Sequence, residues 1–122
     1  MIADSKGVSV IDINSIVRVE AVNNYSKLFL TDGKTVMACM VLKRMEAVLA
    51  GKGFERTHRS HLVNTACIKR YNLSLLTIEL HNADEIAISR RRRTGIRKKL
   101  SEKKAFYLNQ RDADQNYQII NH

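Results

Sequence analysis

Short apolar runs with alternating character, each closed by turn-forming residues, fill the first third of the chain. Their β-branched and aromatic side chains favour strands over helices. Three such runs come first: residues 8–13 (VSVIDI), 15–21 (SIVRVEA) and 25–30 (YSKLFL). Asn23-Asn24 separates the last two, and Asp32-Gly33 is the strongest turn signal of the chain, predicting a β-hairpin with the run that follows it. The pattern therefore predicts a mainly β domain.

The spacing of apolar residues changes between Met40 and Ala50. Apolar side chains now recur every three or four residues, charged side chains occupy the other face, and two glycines follow. The apolar positions are Val41, Leu42, Met45, Val48 and Leu49. This spacing predicts a helix of about three turns, with these five side chains on one face, that ends at Gly51.

Extended character resumes after the glycines. Three further runs lie at residues 54–58 (FERTH), 61–65 (HLVNT) and 66–71 (ACIKRY). A second hairpin is predicted beyond them, where residues 73–80 and 85–89 flank the turn residues 81–84. The second half of the chain is therefore also expected to be rich in strands.

The end of the chain predicts a basic amphipathic helix. Ile96, Leu100 and Tyr107 share one helical face among Lys and Arg side chains, and the helix is expected to begin near Thr94. Residues 109–122 are polar and predict a frayed tail. A chain of 122 residues is long enough for one domain with one core, and we assign that domain to residues 1–108.

Positive charge is concentrated in one segment. The sixteen residues from Ser89 to Lys104 hold nine of the 21 Lys and Arg and one acid, so +8 of the formal net charge of +9 lies there. Four consecutive arginines would repel one another strongly without counter-charges, and an anionic polymer is the most common partner that provides them. A solvated basic face or tail is the alternative interpretation.

The chain lacks the motifs of several protein classes. It contains no phosphate-binding loop, dinucleotide fingerprint, zinc-protease motif or nucleophile elbow, so we expect no catalytic activity, cofactor or metal site. The first residues include Asp4 and Asp12 and no long apolar stretch, which predicts no secretory signal, no membrane anchor and a cytoplasmic location. Cys39 and Cys67 are isolated between apolar or small residues, which predicts buried, reduced thiols; a redox switch is the alternative.

Residues 54–64 (FERTHRSHLVN) form a dense polar cluster between apolar anchors. The cluster fits poorly as a catalytic or metal site, because no nucleophile or third metal ligand accompanies its histidines. It fits better as a nucleic-acid surface: Arg59 can make a bidentate contact to guanine, while His58, Ser60 and Asn64 can contact phosphate or position a neighbour. The alternative is that these groups hydrogen-bond one another or the backbone in a loop.

Residues 23–27 (NNYSK) form a further polar cluster at the start of a predicted strand. They offer two amides, two hydroxyls and an ammonium group, which suit contacts to bases and phosphates. An ordinary Asn-rich turn is the alternative interpretation.

Three segments, taken in order, resemble the LytTR family of bacterial DNA-binding domains. They are residues 19–34 (VEAVNNYSKLFLTDGK), 54–71 (FERTHRSHLVNTACIKRY) and 85–93 (EIAISRRRR). The resemblance implies a fold of about ten short strands in antiparallel sheets with one small central helix, whose loops enter successive major grooves of duplex DNA. Many relatives have a Gly in the last hairpin where this chain has Asn82-Ala83-Asp84, so an Asn with positive φ is expected there.

The resemblance also implies which residues contact DNA. The family's DNA-contacting positions fall at or beside Ser26, Arg59 and Arg91, and neighbouring polar side chains are expected to support them, largely at phosphates. The full predicted set is Asn24, Tyr25, Ser26, Lys27, His58, Arg59, Ser60, Arg90, Arg91 and Arg92. Residues 89–92 are thereby expected to form a third reading loop, followed by a helix that offers its charge to the DNA backbone.

Together these patterns predict a sequence-specific transcription regulator that binds duplex DNA, as a dimer or as a pair of monomers on a repeated site. Relatives often carry a receiver domain ahead of this module. The chain is therefore expected to be the output domain of a response regulator of a bacterial two-component system, or a free-standing regulator. A basic protein-interaction module and an RNA-binding module are the alternatives.

Overall fold

The computed structural model describes residues 2–4 and 7–108, and this part of the chain contains ten strands and two α-helices. The strands are β1 (Ile2–Asp4), β2 (Gly7–Ser9), β3 (Ile16–Val22), β4 (Tyr25–Leu30), β5 (Thr35–Ala38), β6 (Phe54–His58), β7 (His61–Asn64), β8 (Ile68–Asn72), β9 (Thr77–Leu80) and β10 (Glu85–Ala87). The helices are α1 (Leu42–Val48) and α2 (Arg90–Leu108). The predicted class, mainly β with antiparallel sheets, a central helix and a C-terminal basic helix, is confirmed. The predicted tail at residues 109–122 lies outside the described residues.

The described residues form two compact units, one ending at Cys67 and the other beginning at Ile68. The first unit holds the β1-β2 hairpin and a five-stranded antiparallel sheet in the order β5-β4-β3-β7-β6. β3 lies at the centre of that sheet, with β4 on one side and β7 on the other. The second unit holds a three-stranded antiparallel sheet in the order β10-β9-β8, followed by α2.

The core of the first unit lies between one face of the five-stranded sheet and α1. Its buried apolar side chains are Ile16, Val19, Leu28, Ala38, Leu42, Met45, Leu49 and Leu62. α1 is only seven residues long, about two turns, so it contacts the core through a narrow stripe. Val41 and Val48 lie outside this stripe and are exposed, so the predicted apolar face was too wide and the predicted helix too long.

The second unit buries apolar residues of its strands and of the segments directly beside them, together with two side chains of α2. The buried set is Leu73, Ile78, Leu80, Ile86, Ile88, Ile96 and Leu100. Ile96 and Leu100 are four residues apart, which places them on one face of α2 as predicted. The side chain of Tyr107, predicted for the same face, lies outside the described side chains.

The first predicted strand is shorter than its apolar run. The strand covers only Gly7–Ser9, and Ile13–Ser15 forms a single turn of 3₁₀ helix. Asp12 caps that turn, its Oδ1 accepting the N–H of Asn14 at 2.9 Å. The polar residues within the run thus offer the backbone a partner that competes with a strand ladder.

Both predicted hairpins are present, but the second uses a different turn residue. Gly33 has a φ of +85° between β4 and β5, as the Asp-Gly signal predicted. Between β9 and β10 the residue with positive φ is Ala83 (φ 74°), not an Asn. Asn82 instead acts through its side chain, whose Oδ1 accepts the N–H of Asp84 at 3.0 Å.

The prediction of two buried thiols was wrong for Cys39, which is exposed, while Cys67 is partly buried. Cys39 lies just beyond the end of β5, in a bend that follows the buried Ala38. The chain leaves the sheet there, and the side chain of Cys39 is exposed. Burial raises the pKa of the Cys67 thiol.

Candidate nucleic-acid interface

The two polar clusters of the first unit meet at one end of the five-stranded sheet. Val22 of β3 lies opposite Tyr25 of β4, and Glu20 of β3 lies opposite His61 of β7. Adjacent strands are about 5 Å apart, so β4 and β7 lie about 10 Å from each other across β3. The turn that precedes β4 and the turn that precedes β7 are therefore neighbours.

The first turn, Asn23-Asn24, is a two-residue connection between β3 and β4. Asn23 has a φ of +53°, in the left-handed region that Asn tolerates better than most non-glycine residues. Asn24 and Tyr25 are exposed, and Lys27 is half-buried with its Nζ 5.3 Å from the centre of the Phe29 ring. These three predicted DNA-contacting residues lie on the turn or the strand beside it.

Ser26 lies on the other face of β4 and does not reach this surface. Its side chain is 0% exposed, and its Oγ donates to the Met40 carbonyl at 2.6 Å. Alternation along the strand is the reason, since Ser26 shares the core face with Leu28. A DNA contact by the Ser26 hydroxyl does not fit this position, and the hydroxyl holds the chain that follows β5.

The second turn connects His58 to His61 and presents Arg59. The N–H of Ser60 donates to His58 Nδ1 at 3.1 Å, and the carbonyl of Ser60 accepts the N–H of Ala21 at 2.9 Å. Arg59 is exposed, whereas His58 and Ser60 are half-buried and use polar atoms within the turn. Of the three residues predicted to contact DNA here, Arg59 offers the most accessible side chain.

Arg56 lies behind this turn, with a side chain only 11% exposed. Its Nε donates to the His58 carbonyl at 2.8 Å, its Nη2 to the Arg59 carbonyl at 2.6 Å and its Nη1 to Glu46 Oε1 at 2.8 Å. Sequence reasoning included Arg56 in the polar cluster without a role and did not link it to Glu46. No local pattern does so, because the two residues lie on different elements.

Asn64, at the end of β7, has a structural role. It is buried, its Nδ2 donates to the Ile16 carbonyl at 2.9 Å, and its Oδ1 accepts the N–H of Ala66 at 3.0 Å. The alternative interpretation, in which the side chain hydrogen-bonds the backbone, is therefore confirmed for Asn64. Asn64 is not part of the exposed surface.

The carboxylate of Glu20, on the central strand, lies beside the two turns. Glu20 Oε1 lies 3.2 Å from Arg18 Nη1 and 3.8 Å from His61 Nδ1, and the rings of His58 and His61 are 5.4 Å apart. Burial lowers the pKa of His61, the Glu20 carboxylate opposes this, and His58 and Arg18 add to the lowering. His61 is therefore mainly neutral at pH 7.

Within the described residues, no three or more His, Cys, Asp or Glu side chains are arranged to hold a metal ion.

The arginine run of the second unit opens α2. The helix begins at Arg90, and the Ser89 carbonyl and Oγ both accept the N–H of Arg92, at 3.0 Å and 3.2 Å. The expectation of a third reading loop at residues 89–92 was therefore wrong, because Ser89 rather than Thr94 caps the helix. Arg90 and Arg91 are exposed, and Arg92 is half-buried.

The first turn of α2 contains no acidic residue. The N-terminus of a helix carries a partial positive charge, so cationic side chains there are unfavourable and an anion is favourable. Four arginines at this end therefore favour an anionic partner that offsets both the helix dipole and their mutual repulsion.

Comparisons with known proteins find one family and a similar structure. A family model described as the LytTr DNA-binding domain matches residues 6–101. Among solved structures, the chain resembles one described as the LytTr DNA-binding domain of a methyl-accepting/DNA response regulator from Bacillus cereus. The two share 22% sequence identity with a TM-score of 0.70, and the match covers 81% of this chain and 93% of the other. That likeness shows a common fold.

The search of curated proteins finds no match. Across residues 2–4 and 7–108, no helix has the length and apolar character needed to cross a membrane.

Proposed function

The chain belongs to the LytTR family of DNA-binding domains, and on that basis we propose that it is a sequence-specific transcription regulator that binds duplex DNA. One observation carries the proposal. The first and second turns lie at the same end of one sheet, and hydrogen bonds of the sheet fix their backbones. The side chains of Asn24, Tyr25 and Arg59 are exposed on these turns or directly beside them. Base readout requires this combination, because a side chain finds the edge of a base reliably only from a fixed starting point.

We assign base readout to Arg59 and Arg91. A guanidinium group matches O6 and N7 of guanine in the major groove through two parallel hydrogen bonds. Both residues are exposed, one on the second turn and the other in the first turn of α2. Each is therefore able to reach a partner without unfolding its own element.

The remaining residues of the proposed interface support these contacts, chiefly at phosphates. His58 has only Nε2 for this purpose, because its Nδ1 already accepts the N–H of Ser60. Exposed charges further along α2, such as Arg97 and Lys98, add attraction to the backbone that does not depend on sequence. The supporting set is Asn24, Tyr25, Lys27, His58, Ser60, Arg90 and Arg92.

We further propose that residues 1–108 act in the cytoplasm, as the output domain of a response regulator in a bacterial two-component system or as a free-standing regulator. The matched Bacillus cereus structure is described as part of a response regulator, which supports the first arrangement. Binding to a repeated site as a dimer or a pair of monomers completes the proposal. It requires no catalytic step, cofactor or metal ion.

A selection from a randomised duplex pool tests the proposal. We expect the protein to enrich one short sequence or a repeat of it. In a gel shift at moderate salt, that duplex should compete for binding far better than a structured RNA or a polyacidic polymer. Equal competition by all three polyanions would contradict sequence-specific binding and would favour a basic protein-interaction or RNA-binding module.

A further inference from the structure

We propose that Arg56 is a positioning residue that sets the direction of the Arg59 side chain, and that Glu46 of α1 holds Arg56 in place for this task. The inference rests on the proposed function, because it assumes that Arg59 reads a base. It adds a residue pair that does not itself contact DNA but determines which base pair the second turn can read.

The three nitrogens of the Arg56 guanidinium each have a different partner. Nε donates to the carbonyl of His58, Nη2 to the carbonyl of Arg59, and Nη1 to Glu46, over distances of 2.8, 2.6 and 2.8 Å. A guanidinium group is planar and its donors have fixed directions. The positions of the two carbonyls are therefore tied to each other and to α1.

These two carbonyls belong to the peptide groups on either side of Arg59. The carbonyl of His58 is part of the peptide plane that precedes the Arg59 Cα, and the carbonyl of Arg59 is part of the plane that follows it. Fixing both planes fixes φ and ψ of Arg59, since a residue has only these two soft backbone angles. The direction of its Cα–Cβ bond, along which the exposed side chain leaves the turn, is then fixed as well.

The next peptide group of the turn is held by the sheet. The Ser60 carbonyl accepts the N–H of Ala21, and the Ser60 N–H donates to His58 Nδ1. Three successive carbonyls, from His58 to Ser60, thus have partners within the first unit. The Arg56 side chain is the partner of two of the three, the carbonyls of His58 and Arg59.

Glu46 offsets the desolvation cost of burying the charged side chain of Arg56. The side chain of Arg56 is 11% exposed, and removing a charge from water is costly unless a counter-charge and hydrogen bonds accompany it. Glu46 supplies both from α1, on the face of the sheet that carries the core. A lysine at position 56 would keep the charge, but its single nitrogen cannot match three acceptors in one plane.

The first test measures the turn without DNA. Amide hydrogen exchange is compared in the full chain for the wild type, Arg56→Lys, Glu46→Gln and the control Arg70→Lys. Arg70 also pairs with a glutamate, its Nη1 lying 3.7 Å from Glu79 Oε1 on the second unit. In Arg56→Lys we expect the amides of Ser60 and Ala21 to exchange about tenfold faster, because the turn opens locally more often.

The amide of Leu30, which donates to the Lys34 carbonyl at the other hairpin, should be unchanged in all variants. Glu46→Gln keeps an acceptor and loses the charge, so it should give a smaller effect in the same direction. It also serves as the milder variant if Arg56→Lys does not fold. If the amides of Ser60 and Ala21 exchange at the wild-type rate in both variants, the inference is overturned.

The second test measures base discrimination. Binding is titrated with the duplex enriched from the random pool and with each of its single-base-pair variants, and Arg59→Ala identifies the base pair that Arg59 reads. Arg56→Lys should reduce discrimination at that base pair by about three- to tenfold and leave the others unchanged, since one contact loses its geometry. A uniform loss across all duplexes, or none, would overturn the inference.

The two tests separate this inference from the proposed function. If the wild type enriches no sequence, the proposed function fails, while hydrogen exchange still decides whether Arg56 fixes the turn. If the wild type enriches a sequence and Arg70→Lys and Arg56→Lys discriminate equally well, the positioning role fails and the proposed function stands.

Discussion

The backbone N–H of Ala21 donates to the carbonyl of Ser60 at 2.9 Å, and Ala21 also lies opposite Ser26 in the ladder of β3 and β4. One residue of the central strand therefore joins the second turn to the strand that follows the first. The second turn cannot shift along β3 without breaking this bond, and the first turn is held to β3 by the register of β4. The exposed side chains of both turns thus belong to one surface.

Replacing Arg59 with Ala should weaken binding to the selected duplex by on the order of 1 to 3 kcal/mol and relax the preference at one base pair. The reason is the loss of two parallel hydrogen bonds to guanine. Lys98→Ala, at an exposed position on α2, is the matched control and should weaken all duplexes about equally. An Arg59→Ala protein that keeps its full sequence preference would exclude Arg59 as a reader.

Affinity for DNA should fall steeply with salt. If the protein neutralises about five to seven phosphates, the logarithm of the binding constant should fall against the logarithm of the salt concentration with a slope of roughly −5 to −6. Lys98→Gln should make the slope shallower by about 1. Titrations at four or more salt concentrations measure it, and an affinity independent of salt would contradict the proposed phosphate contacts.

Acidification should destabilise the protein through His61. Burial places the pKa of His61 in the folded state below its ordinary value of 6.5, so the unfolded chain takes up this proton at a higher pH. The stability that neutral His61 contributes is therefore fully present above pH 6.5 and is lost as the pH falls toward the lowered pKa. Urea unfolding between pH 8 and pH 5 should show a smaller loss of stability for His61→Gln than for the wild type. Equal losses would mean that other groups dominate.

Ser26→Ala should lower stability and leave DNA recognition intact. The variant removes the hydroxyl that donates to the Met40 carbonyl, which should cost about 1 to 2 kcal/mol of unfolding free energy. Asn24→Ala, at an exposed position two residues earlier, should show the opposite pattern, with nearly unchanged stability and weaker binding. If Ser26→Ala lost its base preference while keeping full stability, Ser26 would contact DNA directly, contrary to its buried position.

Ala83→Gly should stabilise the protein by about 0.5 to 1 kcal/mol, because an alanine with positive φ is strained and glycine adopts that conformation without strain. The φ of Ala83 is 74° at the turn between β9 and β10. Ala47→Gly in the exposed part of α1 is the matched control and should destabilise by about 1 kcal/mol. Urea unfolding of both variants checks the prediction, which fails if both lose stability.

Local patterns predicted the elements that local interactions form. Alternation and turn chemistry located β3, β4 and the hairpin at Gly33, and the change of apolar spacing located α1. Errors arose where two local interactions compete. Ser89 and Thr94 are both suitable helix caps, and the structure uses Ser89, so the predicted loop became the first turn of α2.

The sequence by itself determined the class of fold, the family and the three polar segments, because alternation, turn residues and charge are properties of neighbours along the chain. Only the tertiary structure decided which of those polar side chains face outward. Ser26 is buried while Asn24 is exposed, and Arg56 is bound to Glu46 and to the turn that carries Arg59. These outcomes depend on how β3 pairs with β4 and β7 and on where α1 packs. Such contacts join residues far apart in the chain and leave no local pattern from which to predict them.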